Sequence, residues 1–131
     1  MNEHPNAEVL RNLFEALGRR DPVAAFACIA EDAVWRFPGR QGQLAGEHRG
    51  HNAIMGFLGK VMALTDGTFH LEAKDILASE TRAAFLFRGT GRRGERTLDN
   101  PTCLVAEVRE GKIVRFDEFV WDAYAVDSFW A

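Results

Sequence analysis

Apolar residues recur with a helical period through the first half of the chain. The first stripe consists of Ala7, Leu10, Leu13, Phe14 and Leu17. Spacings of three and four positions predict a helix, with Pro5 suited to its first turn and Gly18 to its end. A third helix is predicted from a later stripe that contains Ala53, Ile54, Phe57, Leu58, Val61 and Leu64.

The segment between these two helices is predicted from its capping and breaking residues. Asp21-Pro22 is typical of a capped helix start, and this second helix is expected to end near Glu31-Asp32. A short strand is predicted over 33–37, because Pro38-Gly39 interrupts the chain there. The polar, glycine-containing stretch 40–50 is predicted to be a loop.

After residue 67 the hydrophobic period changes from 3.6 to 2, which indicates strands. Four are predicted, at about 68–78, 82–91, 96–109 and 112–121, and a short helical tail follows over 122–131. The turns between the strands are short enough for hairpins, so the sheet should be sequential and mainly antiparallel. Three helices followed by a meander predict an α+β domain whose helices cover one face of a strongly curved sheet, with an internal cavity.

Composition restricts the partners of this domain. The chain has 131 residues, 47% of them hydrophobic, and a net charge of −3, so one globular domain over 1–131 is expected. No basic excess is present to neutralise a phosphate backbone, which argues against nucleic acid. No window approaches the roughly 18 apolar residues of a membrane span. A cytoplasmic location is expected, with Cys28 and Cys103 as free thiols.

Several short motifs occur in an order that resembles the nuclear transport factor 2-like superfamily. They are Leu17-x-x-x-Asp21, Ala30-x-Asp32-Ala33-Val34-Trp35, Pro38-Gly39, Gly50-x-x-Ala53-Ile54-x-x-Phe57, Asp99-Asn100 and Gly111-Lys112-Ile113-Val114. The nearest branch is the SnoaL-like group, which includes polyketide cyclases and relatives of ketosteroid isomerase. The resemblance implies a cystatin-like cone and no cofactor, and it does not by itself fix an activity.

The residues of ketosteroid isomerase are absent. That enzyme uses a tyrosine on its first helix, a basic aspartate and a protonated aspartate. The matching positions here hold Leu13, Phe37 and Cys103, and the only tyrosine is Tyr124, near the end of the sequence. Steroid isomerisation by that mechanism is therefore rejected.

The last strand provides the first candidates for chemistry. Its alternation separates Val114, Phe116, Glu118, Val120 and Asp122 from Arg115, Asp117, Phe119 and Trp121. By resemblance, the first set faces the cavity. A carboxyl group among apolar residues has a raised pKa, which suits a general acid or base, so Glu118 and Asp122 are candidate catalytic residues. The alternatives are an ion pair of Glu118 with an arginine and an N-cap role for Asp122.

Asp99-Asn100 is the next candidate, since the resemblance places this pair near the cavity mouth. Asn100 is expected to orient a substrate oxygen, although Asp-Asn-Pro is also typical of a turn. The predicted pocket walls are Trp35, Phe37, Phe57, Cys103 and Phe116. Arg36 and Arg88 are left open between surface positions and roles inside the cavity.

No metal site is predicted. His48 and His51 stand three positions apart, but no third ligand is placed to complete a site. Each of the two is expected either to support the start of the third helix or to reach the cavity mouth as an acid–base group. Cys103 has no neighbouring cation to make it a thiolate, so it is expected to be an inert thiol.

Two functions remain open at this stage. The first is a cofactor-free isomerase, cyclase or hydratase that acts on a small apolar molecule with a carbonyl or hydroxyl group. The second is a non-catalytic ligand-binding or accessory domain with the same cavity. A homodimer through the outer sheet face is also expected, because Phe119 and Trp121, with Trp130 as a further candidate, have no obvious inner partner.

Overall fold

The structure, a computed structural model, describes residues 3–131. Its helices are α1 (Pro5–Gly18), α2 (Pro22–Ala27), α3 (His51–Leu64) and α4 (Ala123–Trp130). Its strands are β1 (Ile29–Phe37), β2 (Gly46–Arg49), β3 (His70–Ala78), β4 (Arg82–Arg93), β5 (Arg96–Arg109) and β6 (Lys112–Val120). The predicted α+β class, with helices on a curved sheet, is confirmed.

One sheet contains all six strands in the order β2-β1-β6-β5-β4-β3. Strands β3 to β6 form the predicted antiparallel meander. The exception to antiparallel pairing is β1, which runs parallel to β6. Register shifts interrupt the pairing of β3 with β4 and of β5 with β6. Such irregularities bend and twist strands, which helps the sheet to curve around its inner face.

Two boundaries differ from the sequence predictions. Helix α2 ends at Ala27 rather than near Glu31-Asp32, and β1 begins already at Ile29. Ile29 is 1% exposed and pairs with Ile113, whose backbone N–H donates to the carbonyl oxygen of Cys28 at 2.9 Å. This long-range pairing overrides a local pattern that also fits a helix. Part of the predicted loop is the edge strand β2, which pairs with β1.

The helix ends are set by the residues that the sequence indicated. The side chain of Asp21 accepts a hydrogen bond from the backbone N–H of Ala24 at 3.1 Å and caps α2. Asp122 caps α4 in the same way through the N–H of Ala125 at 3.0 Å. Both helices therefore start at fixed points relative to the strands that precede or follow them.

The core lies between the helices and the concave face of the sheet. Helices α1 and α3 contribute Leu10, Leu13, Ile54 and Phe57, each at most 3% exposed. Helix α4 returns to the same face, where Val126, Phe129 and Trp130 are buried. Within the described residues, no helix is long and apolar enough to cross a membrane.

Candidate functional site

A cavity remains between the concave sheet face and helices α1, α3 and α4, with a volume of about 80 Å³. Seven aromatic side chains line it: Phe14, Trp35, Phe37, Phe57, Phe69, Phe87 and Trp130. Its three polar side chains are Asn100, Thr102 and Glu118. None of the lining residues in the described chain is basic. The volume is below the roughly 300–1,000 Å³ of pockets for drug-sized ligands, so this site fits a small molecule.

Glu118 is the ionisable group of the cavity. It lies on the inward face of β6, half-buried, and its Oε1 accepts a hydrogen bond from Nε1 of Trp35 at 3.1 Å. Burial raises the pKa of Glu118 to about 7, against a smaller opposing effect of the Trp35 hydrogen bond. The structure places Glu118 in the predicted position and shifts its pKa in the predicted direction, and no arginine of the described residues forms an ion pair with it.

Trp35 is held in place by its own neighbours. Its ring stacks on Phe116 with centroids 4.2 Å apart, and the ring of Phe57 lies 5.3 Å away on a tilt. Phe116 is fully buried beneath this stack, so it supports the cavity wall and does not line the cavity as predicted. Phe37 and Phe57 do line it, in agreement with the prediction.

Asn100 lines the cavity, but its amide is used within the protein. Its Oδ1 accepts from the backbone N–H of Asp122 at 3.2 Å. Its Nδ2 donates to the carbonyl oxygen of Pro101 at 2.9 Å and to Oγ1 of Thr102 at 3.4 Å. Because Asn100 is 4% exposed and its polar atoms are engaged, it ties β5 to the start of α4. The predicted role in orienting a substrate oxygen does not fit this geometry.

Two predicted carboxylates lie outside the cavity. Asp122 is exposed and caps α4, which is the structural alternative considered for it. Asp99 is exposed and binds Arg88 through two hydrogen bonds of 2.7 Å. This arginine lowers the pKa of Asp99, and it also lies 3.5 Å from a carboxylate oxygen of Glu72. Neither Asp122, predicted to face the cavity, nor Asp99, predicted near its mouth, is among the residues that line it.

Cys103 is also misplaced by the sequence prediction. On β5 it pairs with Leu86 and Phe119 and belongs to the outer face, because Leu98, Asn100, Thr102 and Leu104 point inward. Burial raises the pKa of this thiol, which agrees with the predicted inert character. It does not line the pocket.

Arg36, His48 and His51 each contact groups outside the cavity, although the sequence left open whether they reach it. Arg36 lies on the outer face and binds Asp117. Nε2 of His48 lies 2.7 Å from the carbonyl oxygen of Leu44, and Nε2 of His51 lies 2.8 Å from that of Ile29. Both imidazoles thus brace the chain around the start of α3. In the described part of the chain, no group of three or more His, Cys, Asp or Glu side chains is placed to hold a metal ion.

Thr102 was missed by the sequence analysis, although the signal was present. It lies two positions after Asn100 on the same strand, and the alternation argument applied to β6 also places it inward. The contributions of α1, α4 and β3 to the wall had no comparable signal. They depend on how distant elements fold over the sheet.

A second, more open hollow adjoins the cavity where β1 and β6 separate. The last residues of these strands in register are Arg36 and Asp117. Beyond that pair, Phe37 and Glu118 line both the cavity and the outer hollow. Glu118 therefore lies between the apolar interior and the solvent side, where a proton can be exchanged with water.

Comparison with known proteins assigns the chain to a family. The family model for a SnoaL-like domain matches residues 10–116. An uncharacterized protein of Mycobacterium tuberculosis (strain ATCC 25618 / H37Rv) is 30% identical, with 100% of each chain covered.

Solved structures agree with this assignment. Bal32a, from a soil-derived mobile gene cassette, superposes with a TM-score of 0.90 at 34% identity over 97% of each chain. A protein with a cystatin-like fold from Xanthomonas campestris gives a TM-score of 0.86 at 29% identity, covering 100% of this chain and 99% of that one. The chain belongs to the SnoaL-like family, within the nuclear transport factor 2-like fold.

Proposed function

We propose that this protein is a cofactor-free acid–base enzyme that moves a proton on a small, uncharged, mainly apolar molecule. The observation that carries the proposal is the isolation of Glu118, the one ionisable side chain among the described residues that line the cavity. Its pKa of about 7 makes the carboxyl and carboxylate forms similarly populated near neutral pH. A group of that kind both accepts and returns protons efficiently.

The two carboxyl oxygens of Glu118 have different surroundings. Oε1 is held by Trp35 at 3.1 Å. No hydrogen bond from a described residue reaches Oε2, and no buried side-chain oxygen lacks a partner in that part of the chain, so Oε2 keeps access to open space. Trp35 thus fixes the carboxyl group while leaving one oxygen for a ligand.

The chemistry that fits this arrangement is proton transfer next to a carbonyl group. The Glu118 carboxylate takes a proton from the carbon beside the carbonyl, and the C–H electron pair forms the enolate. The carboxyl group, whose proton can exchange with water, then returns a proton to that carbon or to a conjugated one, and the carbonyl re-forms. No oxidant, metal or co-reactant is needed for this balance, which is why isomerisation or an enol-dependent cyclisation fits the site.

The cavity also indicates what the substrate is not. A carboxylate or phosphate placed there would meet Glu118 and no basic side chain among the lining residues. A buried anion without a partner is strongly disfavoured. The substrate is therefore an uncharged carbonyl or hydroxyl compound.

The test is deuterium exchange at the carbons beside the carbonyl of cyclopentanone in D₂O, followed by ¹H NMR. The wild-type protein should accelerate the exchange, and Glu118→Gln should lower the protein-dependent rate about 10²- to 10⁴-fold. Glu107→Gln, on the opposite face of β5, is the matched control and should leave the rate unchanged. Exchange that survives Glu118→Gln would refute the proposal.

A second candidate function is a non-catalytic binding domain for the same kind of molecule. The engagement of Asn100 within the protein favours it, because the cavity has few polar groups free for catalysis. The two functions separate in one experiment. A ketone that binds in the cavity without any protein-dependent deuterium exchange identifies a binding domain.

A further inference from the structure

Thr102 carries a hydroxyl group whose proton is not donated to any residue of the described range 3–131. Its side chain lines the cavity and is 9% exposed. Its Oγ1 accepts a hydrogen bond from Nδ2 of Asn100 at 3.4 Å. Within the described residues its own proton has no hydrogen-bond acceptor. A nearly buried hydroxyl in this state is a donor available to whatever occupies the cavity.

Asn100 determines how that hydroxyl is oriented. Its amide is fixed by the backbone N–H of Asp122 at 3.2 Å and the carbonyl oxygen of Pro101 at 2.9 Å. With one lone pair of Oγ1 facing Asn100, the O–H bond of Thr102 has to point away from the amide. The β-branched side chain has few χ1 rotamers, which keeps Oγ1 in this position, and the hydrogen bond from Asn100 orients the hydroxyl group.

Thr102 lies close to Glu118 on the same face of the sheet. In the register of β5 with β6, Thr102 is opposite Val120, and Leu104 is opposite Glu118. Thr102 and Glu118 are therefore diagonal neighbours, and residues in that relation lie about 7–8 Å apart in an antiparallel pair, with their Cβ atoms somewhat closer. That span accommodates a hydrogen bond to a carbonyl oxygen, the C=O bond and the neighbouring carbon.

We propose that Thr102 is a substrate-binding residue that donates a hydrogen bond to the carbonyl oxygen of a small ketone while Glu118 acts on the adjoining carbon. This inference rests on the proposed function and deepens it by naming the substrate class. A donor hydroxyl beside a carboxyl group selects a neutral oxygen acceptor. An alkene of the same shape leaves the hydroxyl unpaired, and an anion is repelled by Glu118.

The experiment compares two isosteric probes, cyclopentanone and methylenecyclopentane, which differ in C=O against C=CH₂. Their dissociation constants are measured by NMR titration, with the indole N–H signals of Trp35 and Trp130 as reporters, since both residues line the cavity. The wild-type protein should prefer the ketone. Thr102→Val should weaken ketone binding about tenfold and leave alkene binding unchanged, as expected for one lost hydrogen bond. Thr102→Ser should restore the preference.

The controls separate this inference from packing effects and from the proposed function. Thr97→Val, an exposed threonine of the same strand, should change neither constant. Equal weakening of both probes, an undiminished ketone preference in Thr102→Val, or a wild-type protein that binds neither probe at millimolar concentration would overturn the assignment. Glu118→Gln should abolish deuterium exchange yet keep the ketone preference, so each proposal can fail without the other.

Discussion

Asp117 and Glu118 are consecutive carboxylates on β6 with opposite surroundings. Asp117 points to the outer face, where Arg36 and Nε of Arg115, at 3.0 Å, bind its two oxygens. Partial burial works to raise the pKa of Asp117, but the hydrogen bonds from these arginines outweigh it, and the pKa is lowered. Glu118 points inward, forms no salt bridge with a described residue, and has a pKa raised to about 7 by burial.

The contrast teaches that the side of the strand, rather than the carboxyl group itself, decides the chemistry. Solvent and guanidinium groups keep the outer carboxylate ionised at all physiological pH values. Aromatic walls and a single indole N–H make the inner one a group that titrates near neutrality. Two adjacent residues of one strand are therefore a surface ion-pair partner and a candidate catalytic base.

The largest effect is expected from replacing Glu118 by a neutral isostere. A pKa raised from 4.5 to about 7 means that the folded protein holds a proton that the unfolded chain has lost. The resulting stabilisation is present below the unfolded pKa and disappears as the pH rises to 7 and above, by about 3 kcal/mol in total. Glu118→Gln should remove this pH-dependent loss of stability. The Tm of the variant minus the Tm of wild type should therefore be roughly 10 °C larger at pH 8 than at pH 4.

The measurement is urea or thermal unfolding of both proteins between pH 4 and pH 8. The difference between them isolates Glu118, because all other titrating groups are common to the two chains. A pH-independent difference would contradict the raised pKa, and with it the inner half of the comparison.

Trp35→Phe tests the hydrogen bond from the Trp35 indole, which lowers the pKa of Glu118. The indole hydrogen bond lowers the pKa of Glu118, so its removal should raise that pKa above about 7. The expected loss of stability is about 1–2 kcal/mol for a core change that keeps most of the ring volume. The ¹³C NMR titration of the Glu118 carboxyl carbon measures the shift. Trp130→Phe, in the same cavity but without a hydrogen bond to Glu118, is the matched control and should leave the midpoint in place.

The alternation of β6 predicted that the two carboxylates face opposite sides of the sheet, and the family resemblance indicated which side is the interior. Alternate residues of a strand face opposite sides, but both faces of β6 carry aromatic residues, so the spacing alone did not identify the inner face. The helices and the meander were predictable because their hydrophobic periods are local properties. This part of the fold depends on short-range spacing alone.

The failed predictions have two causes: a position that depends on a distant partner, and a local pattern that was not applied. Asp99 was assigned to the cavity mouth by resemblance, but its partner is Arg88 across the β4–β5 pair on the outer face. Cys103, in contrast, was assigned to the pocket although the alternation of its own strand places it on the outer face. The parallel pairing of β1 with β6 and the short edge strand β2 arise from long-range contacts that no local pattern encodes.

Asp117→Asn examines the outer half of the comparison, where a smaller effect is expected. Removing the charge leaves two partly exposed arginines without their carboxylate partner, which should cost about 1 kcal/mol at pH 7. A carboxylate with a lowered pKa stabilises above its unfolded pKa and loses that effect as the pH falls through its folded pKa, so the difference between variant and wild type should be smaller at pH 3 than at pH 7. Unfolding curves at both pH values, with and without 1 M NaCl, provide the measurement. A loss as large as that at Glu118 would show that the outer face is not solvated as described.

The smallest effect on stability is expected from the exposed aromatic residues beside this outer carboxylate. Phe119 is 57% exposed and Trp121 is 83% exposed, and the outward-facing Cys103 pairs with Phe119 on the neighbouring strand. A second copy of the chain, related by a twofold axis, would cover these rings with the same patch. The homodimer remains a prediction, and Phe119→Ser with Trp121→Ser should convert a dimer into a monomer in light scattering. The monomer's unfolding free energy should change by no more than about 0.5 kcal/mol. A wild-type monomer at micromolar concentration would contradict the dimer and leave the inner face, with Glu118, as the functional side of the sheet.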